Sequence, residues 1–213
     1  GNEGGLKPLG IEAVEEMNRL GILVDVSHLS DDGFWDVQKH SKRPFLASHS
    51  NARAVTGHQR NLTDDMIRAV AQAGGVIGLN FAPAFLGGEE ESRVSDMVRH
   101  VLHIREKGGA EVLALGSDFD GIRGKLEIDG PDKFELLWEA LCRAGLSETE
   151  LEGMWHGNGE RLLADVLPGS CVWAAGRSAE RLCVWICRFR KEYPRDSDRR
   201  REKEENGCWK KLI

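Results

Sequence analysis

Apolar residues along this chain alternate between helical spacing and short unbroken blocks, and the alternation predicts helices and buried strands in turn. Residues 8–20 place Leu9, Val14, Met17 and Leu20 near a 3.6-residue repeat, with Gly21 as the stop. The block Ile22-Leu23-Val24 then predicts a strand that reaches His28 through Asp25-Val26-Ser27. Ser30-Asp31-Asp32 predicts the cap of a helix from about Gly33 to His40, and Arg43-Pro44 breaks into a second strand ending at Ser48-His49. Thr63-Asp64-Asp65 opens a helix through Met66, Ile67, Val70 and Ala71, closed by Gly74-Gly75. Residues 76–81 read as a third strand. Val94, Met97, Val98, Val101, Leu102 and Ile104 predict an amphipathic helix over 92–108, which leads into a fourth strand ending on Asp118. Helices near 132–143, 147–155 and 158–166 follow.

Strands that are apolar without interruption are those buried on both faces of a parallel sheet. The expected fold class is therefore α/β, with about four βα units, half the number in an eight-unit (β/α)8 barrel of the TIM type. Residues 1–167 are read as that domain. Residues 168–213 change character: Trp173, Trp185 and Trp209 stand among Arg188, Arg190 and Arg195, and a mixed-charge run begins at Arg199. That segment is read as an appended tail, helical or disordered, with no part in the chemistry.

Composition narrows the function classes. A chain of 213 residues that is 40% hydrophobic and 30% charged can bury one good core. A net charge of −6 argues against general affinity for nucleic acid, which wants a basic face. No apolar stretch approaches the roughly 20 residues of a membrane helix. Cys142 stands alone in the first part, which fits a reduced, cytoplasmic setting, while Cys171, Cys183, Cys187 and Cys208 fall in the tail. Cys183 and Cys187 share a helical step, but no second pair follows at zinc-finger spacing, so they are not read as a metal site.

The chemistry is expected at the strand ends. In a parallel barrel, side chains from the carboxyl ends of different strands converge on one pocket, so His28, His49 and Asp118 can meet although far apart in sequence. Two imidazoles so placed form half of a metal site. His40, His58, His100, His103 and His156 are read as structural, with His58 near enough to Arg60 to be a possible substrate contact. Asp25 is read as an anchor behind the metal ligands, Asp120 as shaping the turn before Gly121, and Glu89-Glu90-Glu91 as a solvated loop.

Four segments carry a resemblance. Met17-Asn18-Arg19-Leu20-Gly21 with Val24-Asp25-Val26-Ser27-His28, then Ala47-Ser48-His49-Ser50-Asn51-Ala52-Arg53, then Arg60-Asn61-Leu62-Thr63-Asp64-Asp65, and Gly116-Ser117-Asp118-Phe119-Asp120-Gly121 closely resemble the membrane (renal-type) dipeptidases. These are zinc metallopeptidases of the amidohydrolase superfamily, and the resemblance runs from about Leu6 to Val166. It implies that His28 and His49 are zinc ligands at the ends of the fifth and sixth barrel strands, and that Asp118 ends the eighth. It further implies that Arg60 faces the carboxylate of a dipeptide substrate, while Asp118 receives the free amino group and relays a proton. Two zinc ions are the implied cofactors.

The resemblance also implies what is missing. The family pattern includes a His-x-Asp pair, a Glu bridging both metals and a further catalytic His, all upstream of the first residue here, and no His-x-Asp occurs in residues 1–213. The expectation is an incomplete, inactive fragment of a dipeptidase, one that lacks an initiator Met and whose tail fits a reading-frame change after about Leu167. Two other readings remain: a non-catalytic half-barrel that binds a partner or forms a homo-oligomer, and an amidohydrolase acting on cyclic amides.

Overall fold

A computed structural model describes residues 4–88 and 90–167. The unit that ends at Val166 holds every element described. Expectations for the 168–213 tail and its cysteines lie outside the described residues.

Helix α1 spans Pro8–Leu20, begins with proline in its first turn and stops where Gly21 adopts a left-handed φ of 72°. Helix α2 (Asp31–His40) starts two residues before the expected position, with the Ser30 hydroxyl accepting from Gly33 N–H at 3.0 Å. Helix α3 (Asp64–Gln72) is capped by Thr63 and buries Met66, Ile67, Ala69 and Val70. Strand β1 (Ile77–Leu79), helix α4 (Pro83–Leu86), strand β2 (Glu91–Ser92) and helix α5 (Val94–Gly108) follow. Strands β3 (Leu113–Leu115) and β4 (Lys125–Leu126) precede α6 (Phe134–Arg143), α7 (Glu148–Glu152) and α8 (Asn158–Val166). A capping box of Ser147 and Glu150 starts α7, and a π-turn over Gly153–Gly157 joins it to α8.

Four segments run parallel and neighbour one another in chain order. Val26 N–H donates to Leu46 O at 2.9 Å and Leu46 N–H to Val24 O at 3.0 Å; Ala47 N–H donates to Val76 O at 3.0 Å. Strands β1 and β3 then pair parallel, Ile77 opposite Leu113 and Leu79 opposite Leu115. Of these four segments, only the two that hold β1 and β3 form regular strands. The first two segments meet their neighbours through the single bridges Asp25–Leu46 and Ala47–Ile77 and turn away before His28 and His49, so the strands expected to reach those histidines are shorter than the sequence suggests. The reason is local: the side chains of Asp25 and Ser27 take main-chain N–H groups that a continued ladder would have used.

Helix α8 covers the amino-terminal end of this arc. Leu162 and Val166 pack with Val76, against which Leu23, Leu46 and Ala114 also lie. Arg161 donates to Gly74 O at 2.7 Å and to Glu111 O at 3.0 Å, and Arg43 reaches Val166 O at 3.3 Å. Each of these loops immediately precedes a strand. The opposite, carboxyl end of the segments carries the turns that hold His28 and His49. Glu91 does not belong to a solvated loop: β2 pairs parallel with β4, and Glu91 bonds Lys125 at 2.8 Å across the pair.

Candidate active site at the strand ends

The turns that interrupt the first two segments bring His28 and His49 together. Their Nε2 atoms lie 2.9 Å apart and their ring centroids 4.9 Å apart. Asp25, one turn behind, has its Oδ1 bonded by Ser27 N–H at 3.0 Å, by the Ser27 hydroxyl at 2.8 Å and by Ser48 N–H at 3.0 Å. Its Oδ2 accepts from the Ser48 hydroxyl, and that hydroxyl is 2.6 Å from His49 Nδ1. Burial raises the Asp25 carboxyl, but the bonds from Ser48 and Ser27 outweigh it and leave the group below its ordinary range. Asp25 thus stands behind the histidines, as expected for an anchor.

The surroundings of His28 perturb its imidazole. Desolvation lowers its pKa first, followed by the positive field of Arg60 and by His49, while Asp25 and Asp118 pull the other way. All four partners are those the sequence reading assembled, so the residues converge electrostatically. A neutral imidazole is the form that binds a metal. Among the described residues, no group of three His, Cys, Asp or Glu side chains is placed to hold a metal ion. The chain brings two imidazole nitrogens within 2.9 Å of each other, a donor pair that would fit a zinc ion completed by other ligands.

Arg60 sits in the loop before α3. Its Nε donates to Ser27 O at 2.9 Å, its guanidinium carbon lies 5.3 Å from the centre of the Phe85 ring, and its Nη2 is buried with no partner among the described residues. Desolvation lowers its pKa, opposed by the fields of Asp118 and Asp25. A buried guanidinium donor left unmatched is costly unless a ligand meets it. Arg53 holds the same loop from behind, donating to Gln59 O at 3.0 Å and Asn61 O at 2.8 Å while clasping Asp31 through two bonds of 2.6 and 2.7 Å. His58 Nδ1 accepts from Arg60 N–H at 3.1 Å, so this histidine supports the loop. An open cleft of about 270 Å³ beside Arg60 is lined by Leu29, Ser30, Asp31, Arg53 and Gln59. It does not include His28, His49 or Asp118, so the converging polar groups mark the site better than the void does.

Asp118 follows β3 and has φ of 65°, the left-handed region that Asp tolerates better than most residues. Asn80 Nδ2 donates to its Oδ2 at 3.0 Å. Asn80 is in turn fixed by Ala82 N–H on its Oδ1 at 2.6 Å, and Asn51 bonds both the N–H and the O of Asn80 at 2.9 Å. Gly121 lies so close to Asp118 Oδ1 that a side chain there would displace the carboxylate, and Gly121 N–H closes the turn onto Asp118 O at 2.9 Å. Phe81, Phe119 and Phe134 pack beside these residues with ring centroids 5.5–5.9 Å apart. Ser48, Asn51, Asn80 and Arg53 are positioning residues the sequence reading does not single out. Asn80 alone carried a signal, since it ends an apolar run as His49 and Asp118 do.

Known proteins resemble this chain over most of its described length. An uncharacterized protein encoded in the pqqA 5′ region of Klebsiella pneumoniae is 36% identical over 76% of this chain and 61% of its own length. An uncharacterized dipeptidase of Schizosaccharomyces pombe is 37% identical over 70% of this chain and 37% of its own length. A metallopeptidase from Rhodobacter sphaeroides, solved with a phosphinate mimic of the dipeptide L-Ala-D-Ala, is 36% identical, superposes with a TM-score of 0.74, and is covered over 48% of its length by 77% of this chain. The chain therefore spans only part of each relative. Residues 1–168 match the family model, and the chain belongs to the membrane dipeptidase family, peptidase family M19.

Proposed function

We propose that this chain is the strand-five-to-eight half of a (β/α)8 barrel, and that it carries the substrate clamps and two metal ligands of a zinc dipeptidase. The observation that carries the reading is the unpartnered Nη2 of Arg60 on the rim of a site where two imidazole nitrogens meet 2.9 Å apart. His28 and His49 would hold the metal through the facing nitrogens of their rings. When bound, zinc supplies Lewis acidity toward the peptide carbonyl and the attacking water.

Because Arg60 Nε is committed to Ser27 O, its Nη edge meets the substrate's carboxylate. Asp118 Oδ2 is committed to Asn80, which leaves Oδ1 to take the ammonium of the dipeptide. The same carboxylate accepts a proton from the water as it attacks and returns it to the leaving amine. Gripping both charged ends selects a two-residue substrate by length. The free Arg60 donor favours a linear substrate with a carboxylate over a cyclic amide. Catalytic zinc keeps about three protein ligands, so two imidazoles are insufficient. The remaining ligands come from polypeptide outside the described residues, and the 213-residue chain alone is inactive.

Zinc content and hydrolysis of Gly-Xaa and Ala-Xaa dipeptides by the purified chain, beside His28→Ala and His49→Ala, test this. The expected result is zinc binding lost in both variants and no turnover by any of the three. Turnover by the unmodified chain that both variants abolish overturns the inactivity and points to a site completed between copies. Zinc retained in both variants overturns the ligand assignment.

A further inference from the structure

The contacts behind His49 determine which of its ring nitrogens carries a proton. Asp25 accepts from two main-chain N–H groups and from the Ser27 hydroxyl, all on Oδ1, and the ionised carboxylate these bonds favour offers Oδ2 only as an acceptor. The Ser48 hydroxyl on Oδ2 must therefore be the donor of that bond. A hydroxyl has one proton, so the second contact of Ser48 Oγ, at 2.6 Å from His49 Nδ1, needs the proton to come from the ring. Ser27 Oγ is likewise spent, donating to Asp25 at 2.8 Å and accepting from His49 N–H at 3.1 Å.

We propose that Ser48 is a positioning residue that, held by Asp25, fixes His49 as the Nδ1–H tautomer and directs its bare Nε2 lone pair at a bound divalent metal. The inference rests on the reading of His49 as a metal ligand. It replaces the common direct carboxylate–histidine contact with a carboxylate–hydroxyl–imidazole relay. It also assigns the facing histidine: with His49 Nε2 bare, the 2.9 Å contact requires His28 to donate from its own Nε2, so without metal the two rings are opposite tautomers. A cation entering between them takes the place of that proton.

Long-range proton–nitrogen NMR of the metal-free 213-residue chain, at mildly alkaline pH, reads the tautomers directly, with His28→Gln and His49→Gln assigning the signals. The expected result is a protonated Nδ1 on His49 and a protonated Nε2 on His28. Cobalt(II) titration then reads the consequence: Ser48→Ala lowers affinity by about 10–100-fold, and Ser48→Thr, which keeps the hydroxyl, restores it. A protonated Nε2 on His49 in the unmodified chain overturns the proposal, as does a Ser48→Ala variant whose tautomer and cobalt affinity are both unchanged. If the tautomers are as expected but the unmodified chain takes up no cobalt, the relay stands and the metal reading falls.

Discussion

Asn80 donates its carboxamide to Asp118 at 3.0 Å, joining the end of β1 to the end of β3 across 38 positions of sequence. The bond has a defined direction because the carboxamide oxygen is already taken by Ala82 N–H. Asn80 is fully buried, and replacing it with alanine strands both the Ala82 N–H and one oxygen of Asp118. The expected cost of Asn80→Ala is about 1–3 kcal/mol, read as a lower urea midpoint. Asn80→Asp should be worse at neutral pH than in acid, since it sets one carboxylate against another. Equal midpoints for Asn80→Ala and the unmodified chain would show that the carboxamide does not brace the site.

Two glycines make the close approach of the strands possible. A Cβ at Gly78 or Gly116 would run into the backbone oxygen of Ser48, an atom that cannot step aside without moving the segment that carries His49. Gly78→Ala and Gly116→Ala should therefore each cost several kcal/mol, more than a typical substitution. Gly159, inside α8, meets nothing within 4 Å, so Gly159→Ala should stabilise by about 0.5–1 kcal/mol. Thermal melts of the three variants check the ordering, and a tolerated Gly78→Ala contradicts the packing described.

The helices were legible because their signals are local. Ser30 and Thr63 cap, Gly21 stops, and the apolar positions repeat at helical spacing, none of which needs a distant partner. The order of the four parallel segments was legible for a similar reason, since unbroken apolar blocks separated by helices leave few alternatives. The last residues before His28 and His49 misled the strand reading because Asp25 and Ser27 divert the backbone bonding, and apolar spacing does not report that. The strand-end rule picked out His28 and His49, whose rings the structure brings together, and Asp118, whose charge reaches His28. Ser48 and Arg53 escaped it because their roles depend on partners 23 and 22 positions away.

His100 ties the loop at Ala52 to α5. It is fully buried, its Nδ1 accepts from Ala52 N–H at 3.1 Å, and its Nε2 faces Leu86 O and Thr56 Oγ1, both at 3.3 Å. Burial depresses its pKa to about 4, from the ordinary 6.5 of an imidazole. Between those values the unfolded chain binds a proton that the folded chain refuses, so stability falls as pH drops from about 6.5 to about 4 and then levels. The loss is on the order of 3 kcal/mol. Asp64, held below the usual carboxylate range by His103, loses its contribution only at lower pH still. Urea midpoints at pH 7 and pH 5 should differ clearly for the unmodified chain and much less for His100→Gln. A slope that survives the substitution assigns the effect to another group.

Arg53 tests whether the pose of Arg60 is imposed from behind. Its ion pair with Asp31 is partly exposed, with side-chain accessibilities of 26% and 50%, so breaking the charge contact should change stability by less than about 1 kcal/mol. Its bonds to Gln59 O and Asn61 O are another matter, because they flank Arg60 and hold its loop at the distance where Nε reaches Ser27. Lysine keeps the charge but lacks the planar fork that serves four acceptor atoms at once. In an enzyme that turns over dipeptides through these residues, Arg53→Lys should raise KM roughly tenfold, about 1.4 kcal/mol of binding, with kcat nearly unchanged. Asp31→Asn should fall between the two. Arg19→Ala, which removes the exposed pair with Glu16, is the control and should leave KM alone. A loss of kcat with KM unchanged would place Arg53 closer to the chemistry than its contacts allow, and no change in either would mean that Ser27 O alone suffices to hold Arg60.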